Sequence, residues 1–128
     1  MPLALSVSLA AAGSEAGPGL LLQYELQGDV SRLRLPAPTR PGPADGLWQH
    51  SCFEAFVGVA GDPAYREFNF SPSGQWAAYR FRDQRQRDLA ADAAAGPLEP
   101  DIGQNATDAG LALRAWLPLR ALPDSRAD

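Results

Sequence analysis

Glycine and proline divide this chain into short segments, and this division is the strongest constraint on its fold. The 128 residues contain twelve of each, several of them in turn-like runs such as Gly61-Asp62-Pro63 and Ser71-Pro72-Ser73-Gly74. Both residues interrupt helices, and short apolar segments between such runs are typical of strands. No alternation of strands with long helices is visible, so the sequence predicts an all-β fold, an antiparallel sandwich or a barrel.

Alternating apolar residues predict the individual strands. From Leu3 to Leu9, apolar residues alternate with Ala and Ser and no basic residue precedes them, which favours a strand over a signal peptide. Further strands are predicted over residues 20–26, 30–35, 47–59, 65–71, 75–82 and 110–117. The polar, Ala-rich segment 83–101 is compatible either with a short helix over 87–95 or with a flexible loop.

Composition and charge limit the classes of function. Apolar residues make up 45% of the chain, enough for the core of one domain, which we place at residues 1–122 before a polar tail at 123–128. The net charge of −4 argues against nucleic acid or an anionic membrane as partner. No apolar run approaches the roughly 18–20 residues of a membrane span, and we expect a cytoplasmic location. One Cys and one His cannot form a disulfide or a structural zinc site, so no metal or cofactor is expected.

The strands predicted over 47–59, 65–71 and 75–82 each carry two chemically different faces, because side chains alternate across a sheet. One face is apolar and is expected to supply the core, together with the last strand. Its predicted buried residues are Phe53, Val57, Phe68, Phe70, Tyr79, Phe81, Leu111 and Leu113. The opposite face combines aromatic with polar side chains.

Matching the faces across the two connecting turns predicts a register for the polar face. Across residues 71–76 it places Glu67 opposite Arg80 and Asn69 opposite Ala78, and across the earlier turn it places Glu54 opposite Asn69. Aromatic rings beside fixed carboxylate, amide and guanidinium groups suit a polyhydroxylated ring, since the rings cover its apolar face and the polar groups bind its hydroxyls. The predicted ligand-binding residues are Trp48, Glu54, Glu67, Asn69, Trp76 and Arg80.

The same residues also have simpler explanations. A Glu opposite an Arg is often an ordinary cross-strand pair, and the two tryptophans could cap an edge of the core. Glu54 and Glu67 could form a glycosidase acid/base pair, but Arg80 and Asn69 would keep both carboxylates ionised, which does not suit the acid. The main alternative function is protein interaction or assembly through the aromatic face or an open sheet edge, and an enzyme ranks third.

Two segments, Leu-Trp-Gln-His-Ser-Cys-Phe-Glu-Ala-Phe at 47–56 and Tyr-Arg-Glu-Phe-Asn-Phe-Ser-Pro-Ser-Gly-Gln-Trp-Ala-Ala-Tyr-Arg-Phe at 65–81, resemble the bacterial DOMON-like family. That family is related in fold to the family 9 carbohydrate-binding modules and to sugar- or haem-binding DOMON domains. The resemblance covers roughly residues 20–119 and implies an antiparallel β-sandwich with a concave ligand-binding face. In the related modules two aromatic rings sandwich a sugar, which by analogy nominates Trp48 and Trp76.

This chain departs from the family pattern in two respects. Family members continue past the final Leu-Pro-Leu stretch with further strands, so either the last strands are missing here or the chain is a shortened member. Missing strands would leave an open edge through which the protein could self-associate. Haem binding is disfavoured because no second His and no internal Met complete an axial pair.

The sequence thus predicts a non-catalytic domain that binds a small polar molecule, with a carbohydrate as the first candidate.

Overall fold

The computed structural model describes residues 3–14, 17–30, 33, 35–49, 51–95, 98–107 and 109–123. Two sheets face each other. Sheet I is antiparallel throughout and has the order β1–β2–β9–β8, with bounds Ala4–Ser14 for β1, Gly17–Gln27 for β2, Asp101–Thr107 for β8 and Gly110–Pro118 for β9.

Sheet II has the order β3–β6–β5–β4. A further short strand, β7, pairs with the same edge of β6 as β3 does, but nearer the C-terminal end of β6. Only the short β3–β6 pairing is parallel. Its strands are β3 Gly42–Pro43, β4 Phe53–Gly58, β5 Tyr65–Phe70, β6 Gln75–Asp83 and β7 Gln86–Arg87. A short helix, α1 at Leu89–Ala94, follows β7, and 3₁₀ turns occupy Leu47–Gln49 and Leu119–Ala121. The predicted all-β antiparallel sandwich is confirmed.

The core lies between the two sheets. Side chains that alternate along β2 and β9 meet the phenylalanines of β5 there. The buried cluster consists of Leu22, Tyr24, Phe68, Phe70, Leu113, Ala115, Leu117 and Ala121. Of the predicted core residues, Phe68, Phe70, Leu111 and Leu113 are buried, and Phe53 and Val57 are partly buried and pack inward.

Several predicted elements differ in the structure. Of the strand predicted over 30–35, the structure describes Val30, Leu33 and Leu35, and none of these three is in a strand; β1 and β9 already pair with both edges of β2. The strand predicted from residue 47 begins only at Phe53, after a 3₁₀ turn. Strand β8 was not predicted, because its segment lacks apolar alternation. The helical alternative for 87–95 is confirmed as α1.

The register predicted between β5 and β6 is wrong by one residue. Glu67 pairs with Tyr79, not Arg80, and Asn69 pairs with Ala77, not Ala78. The connection contains only three residues between Ser71 and Gln75, and the Ser71 N–H donates to the Gln75 carbonyl at 2.9 Å. Such loops characteristically place a glycine in the left-handed region at their third position, and Gly74 has φ +95°.

A one-residue shift moves every β6 side chain to the opposite face. Trp76 and Ala78 therefore pack against the core, and Arg80 points inward with them. Tyr79 and Phe81 lie on the outer face of sheet II, so their predicted burial in the core is wrong. The predicted pairing of Glu54 with Asn69 across the β4–β5 hairpin is confirmed.

Strand β1 is an edge strand with an uncovered apolar side. Val7 and Leu9 pair opposite the core residues Tyr24 and Leu22 of β2, and Leu5 lies on the same face. All three side chains face the core side, yet each is more than half exposed. Nearer its C-terminal end, the Trp116 Nε1–H donates to the Ala12 carbonyl at 3.0 Å. The predicted strand at the N-terminus is confirmed.

No helix in the described segments has the length and apolar character to cross a bilayer. Of the predicted tail at 123–128, only Pro123 is among the described residues, and His50 also lies outside them.

Candidate functional site

The outer face of sheet II, the side turned away from sheet I, carries polar and aromatic side chains in three cross-strand rows. Each row takes one residue from β4, one from β5 and one from β6. The rows are Glu54–Asn69–Ala77, Phe56–Glu67–Tyr79 and Gly58–Tyr65–Phe81. The same three strands thus present the core on one side and this polar, aromatic surface on the other.

An open groove of about 720 Å³, here called the outer groove, lies over part of this face. It is lined by Asp45, Gly46, Trp48, Glu54, Glu67, Tyr79, Phe81 and Arg87. Three of the six predicted ligand-binding residues, Trp48, Glu54 and Glu67, line it. Asn69 lies on the same face but is fully buried.

The predicted positions of Trp76 and Arg80 are wrong, because both lie on the inner face. Trp76 packs against the core, so Trp48 and Trp76 are on opposite sides of the sheet and cannot sandwich one ring. Arg80 pairs at long range with Asp92 of α1, at 4.0 Å. The register shift replaces them on the outer face with Tyr79 and Phe81.

Trp48 is presented by the 3₁₀ turn at Leu47–Gln49. Gly46 allows the chain to turn there, with φ +73°, and the Gln49 N–H donates to its carbonyl at 3.1 Å. The turn packs against β5 and β6, yet the Trp48 side chain remains 62% exposed. A large apolar side chain held at the surface beside a groove is available for contact with another molecule.

Arg87 supplies the cation that the sequence analysis assigned to Arg80. Its strand β7 is joined to β6 by a tight turn, which brings the guanidinium 4.3 Å from the centre of the Tyr79 ring. Arg87 Nη2 also contacts Asp92 Oδ2 at 2.8 Å, and the Tyr79 hydroxyl donates to Asp45 Oδ1 at 2.8 Å. A two-residue strand carries no periodic signal, so the sequence pattern could not have placed Arg87 there.

The groove changes the acidity of two of its lining groups. Burial raises the pKa of Glu67, the Glu54 carboxylate raises it further, and the Asn69 amide and Arg87 guanidinium act in the opposite direction. Burial, followed by the hydrogen bond to Asp45, raises the pKa of Tyr79 to about 12. The Tyr79 phenol therefore stays protonated and serves as a hydrogen-bond donor at neutral pH.

Asn69 contributes a buried amide beneath this surface. Neither its Oδ1 nor its Nδ2 has a hydrogen-bond partner of good geometry among the residues that the structure describes, so its interaction with the nearby Glu67 carboxyl is a weak one. A buried polar group without a partner costs about 1–3 kcal/mol, so it is an unusual feature at the centre of a sheet. Within the described ranges, no three His, Cys, Asp or Glu side chains are arranged to hold a metal ion.

No protein-family model, curated protein or solved structure shows significant similarity to this chain. The resemblance to the DOMON-like family therefore stays a prediction from the two sequence segments.

Proposed function

We propose that this protein is a non-catalytic ligand-binding domain, and that the outer groove takes a small polyhydroxylated molecule, with a sugar as the first candidate. The observation that carries the proposal is the exposed Trp48 ring at the margin of a groove that also contains the carboxylates of Glu54 and Glu67. Membership of the DOMON-like family and a cytoplasmic location belong to the same proposal.

The lining of the outer groove suits the two kinds of surface that a sugar ring presents. Trp48 offers a flat apolar surface for the C–H face of the ring. The carboxylates of Glu54 and Glu67 accept hydrogen bonds from hydroxyl groups, and Arg87 donates them. The volume of about 720 Å³ lies within the usual range for small-molecule sites, about 300–1,000 Å³.

Calorimetric titration of the full chain with a panel of mono- and disaccharides tests this proposal. For any sugar that binds, Trp48→Ala should weaken affinity by on the order of 1–3 kcal/mol, because the variant removes a large apolar contact. Its unfolding temperature should hardly change, since the ring is mostly exposed.

Phe56→Ala is the matched control. Phe56 lies on the same face and is 60% exposed, but it does not line the outer groove. Sugar affinity should therefore survive this substitution. If the panel shows no binding, or if Trp48→Ala leaves the affinity of a confirmed sugar intact, the outer groove is not a sugar site.

One observation favours assembly as a second candidate function. Strand β1 contains eleven residues with no charged side chain, and it carries the exposed Leu5, Val7 and Leu9. Charged residues are a common protection of edge strands against pairing, and β1 lacks them. Under this alternative a second copy pairs with β1, and Val7→Lys should convert a dimer to a monomer in light scattering; a chain that is monomeric at all concentrations would contradict it.

A further inference from the structure

A second cavity, here called the inner cavity, lies beside β6 and α1, is lined from sheet II mainly by inner-face residues, and has a volume of about 240 Å³. Its lining includes three large apolar side chains, here called its apolar floor: Phe68, Trp76 and Leu98. Three arginines, Arg66, Arg80 and Arg120, share its lining with three carboxylates, Asp45, Asp92 and Glu99. An apolar floor with a few charged groups is the usual composition of a small-molecule site.

The ion pairs of the inner cavity leave one of its three arginines without a partner among the described carboxylates. Arg120 pairs with Glu99 at 3.5 Å, and Arg80 reaches Asp92 only at 4.0 Å, while Arg87 holds the same Asp92 carboxylate at 2.8 Å. None of the described carboxylates forms an ion pair with Arg66. The three arginines and three carboxylates balance in number, but the third carboxylate, Asp45, accepts a hydrogen bond from Tyr79. The Arg66 guanidinium is therefore left without an ion-pair partner within the described ranges.

Arg66 is also held beside a like charge. It pairs directly opposite Arg80 across β5 and β6, an arrangement that is unfavourable unless an anion lies nearby. Burial and the Arg80 guanidinium lower the pKa of Arg66. Arg66 Nη1 donates to the Ala121 carbonyl at 2.5 Å, and more weakly to the Arg120 carbonyl at 3.4 Å. Neutral carbonyls fix the position of the guanidinium without neutralising it.

The edge of β6 adds a backbone group to the inner cavity. β3 pairs with β6 at Gln75 and Trp76, and β7 pairs with it at Phe81 and Asp83, so neither strand covers Ala78. Ser71 and Gln75 form a hydrogen-bonded pair of the antiparallel ladder. Because hydrogen-bonded and non-hydrogen-bonded positions alternate along β6, Ala78 is at a non-hydrogen-bonded position, and its N–H and C=O point away from β5 toward the open edge. The cavity is thus bordered by a backbone donor and acceptor as well as by arginines.

From this arrangement we infer that the inner cavity binds a small organic monocarboxylate with an apolar body. The carboxylate lies against the guanidinium groups of Arg66 and Arg80, and the apolar part rests on Trp76 and Leu98. A planar guanidinium is well matched to a carboxylate. The three lining carboxylates disfavour a multiply charged anion, and the volume limits the ligand to about one ring with its acid group, below the usual range of about 300–1,000 Å³.

Benzoate is a suitable probe, titrated into the ¹⁵N-labelled full chain and followed by amide chemical shifts. We expect saturable shifts centred on Ala78, Ala95 and Leu98. Benzamide, which has the same ring without the charge, and inorganic phosphate, which has charge without the ring, should each bind at least roughly tenfold more weakly. Equal binding of benzamide would overturn the role of the arginines, and equal binding of phosphate would overturn the role of the apolar floor.

Arg66→Gln should weaken benzoate binding by roughly tenfold to a hundredfold, the usual effect of losing hydrogen bonds to a charged group. Arg82→Gln removes the same charge from an exposed position on β6 and should leave benzoate binding unchanged. If Arg66→Gln does not fold, because it loses its bonds to the 120–121 carbonyls, Arg80→Gln makes the same test. Benzoate affinity that survives both substitutions, or an absence of benzoate shifts in the unmodified chain, refutes the inference.

The proposals for the outer groove and for the inner cavity can be tested independently. Trp48→Ala should leave benzoate binding intact, because Trp48 lines only the outer groove.

Discussion

The two faces of sheet II use the same types of side chain for different purposes. On the inner face Phe68 and Phe70 are almost fully removed from solvent and pack against sheet I. On the outer face the aromatic rings are half-exposed and contact polar groups or one another, as where Tyr65 and Phe81 stack with ring centres 4.7 Å apart. The first set stabilises the fold, whereas the second set keeps part of its surface exposed to solvent.

The largest expected effect tests this division directly. Phe70→Ala should lower the free energy of unfolding by about 3–5 kcal/mol, because it opens a cavity in a fully buried site. Phe56→Ala, on the outer face, should change it by no more than about 0.5 kcal/mol. Urea denaturation of both variants gives the comparison. A comparable loss in the two variants would mean that the outer face is covered in solution.

A smaller effect is expected from the turn that decides which β6 side chains face outward. Gly74→Ala should cost about 1–2 kcal/mol, because φ of +95° is unfavourable for a residue with a Cβ. The nearest atom to such a Cβ is the Thr39 carbonyl oxygen at 3.6 Å, an ordinary contact, so the loss would report backbone conformation.

Gly13→Ala provides the control for Gly74→Ala. Nothing lies within 4 Å of a Cβ at Gly13, and its backbone is not in the left-handed region. Thermal unfolding should show no loss for this variant. Equal losses at the two glycines would contradict the role given to the turn.

The smallest effect concerns Glu67, whose pKa is raised in the folded protein. A raised pKa means that the folded state binds the proton more tightly, so stability falls as the pH rises above the unfolded value of about 4.3. Glu67→Gln should therefore stabilise the protein at pH 7 by a few tenths of a kcal/mol, a small gain because the side chain is partly solvated.

This gain should disappear below about pH 4, where Glu67 is protonated in both states. Glu25→Gln makes the same chemical change at an exposed position on sheet I and serves as the matched control. Unfolding temperatures measured across pH 3–8 check the sign, and a Glu67→Gln variant that is less stable at pH 7 contradicts it.

Alternation alone was sufficient to predict the faces of β4 and β5. Each has one apolar face, so the pairing of Glu54 with Asn69 followed from the sequence. On β6 it was insufficient, because aromatic residues occur on both faces: Trp76 on one, and Tyr79 and Phe81 on the other. On β6 the number of residues in the preceding turn decides which side chains face the core. Gly74 was the signal in the sequence for a three-residue loop.

The remaining differences arise from elements without periodicity. β8 is an edge strand, and most of its side chains are exposed. Because few of them are buried, its sequence shows little alternation of apolar and polar residues. Arg87 reaches the outer groove through a two-residue strand beside an irregular pairing of β6. Four of the six predicted site residues are on the outer face. The other two, Trp76 and Arg80, are on β6, and their predicted positions depended on its register.

The position of β1 has a consequence for how the protein moves. Separating β1 from β2 breaks backbone hydrogen bonds but exposes little additional apolar surface, since Leu5, Val7 and Leu9 are already in contact with water. Local opening should therefore cost much less free energy than global unfolding, and it should start at the Ala4 end, away from the bond between Trp116 and Ala12. In native-state hydrogen exchange, the amides of β1 would lose protection through this local opening, while those of β5 would exchange only when the whole sandwich unfolds.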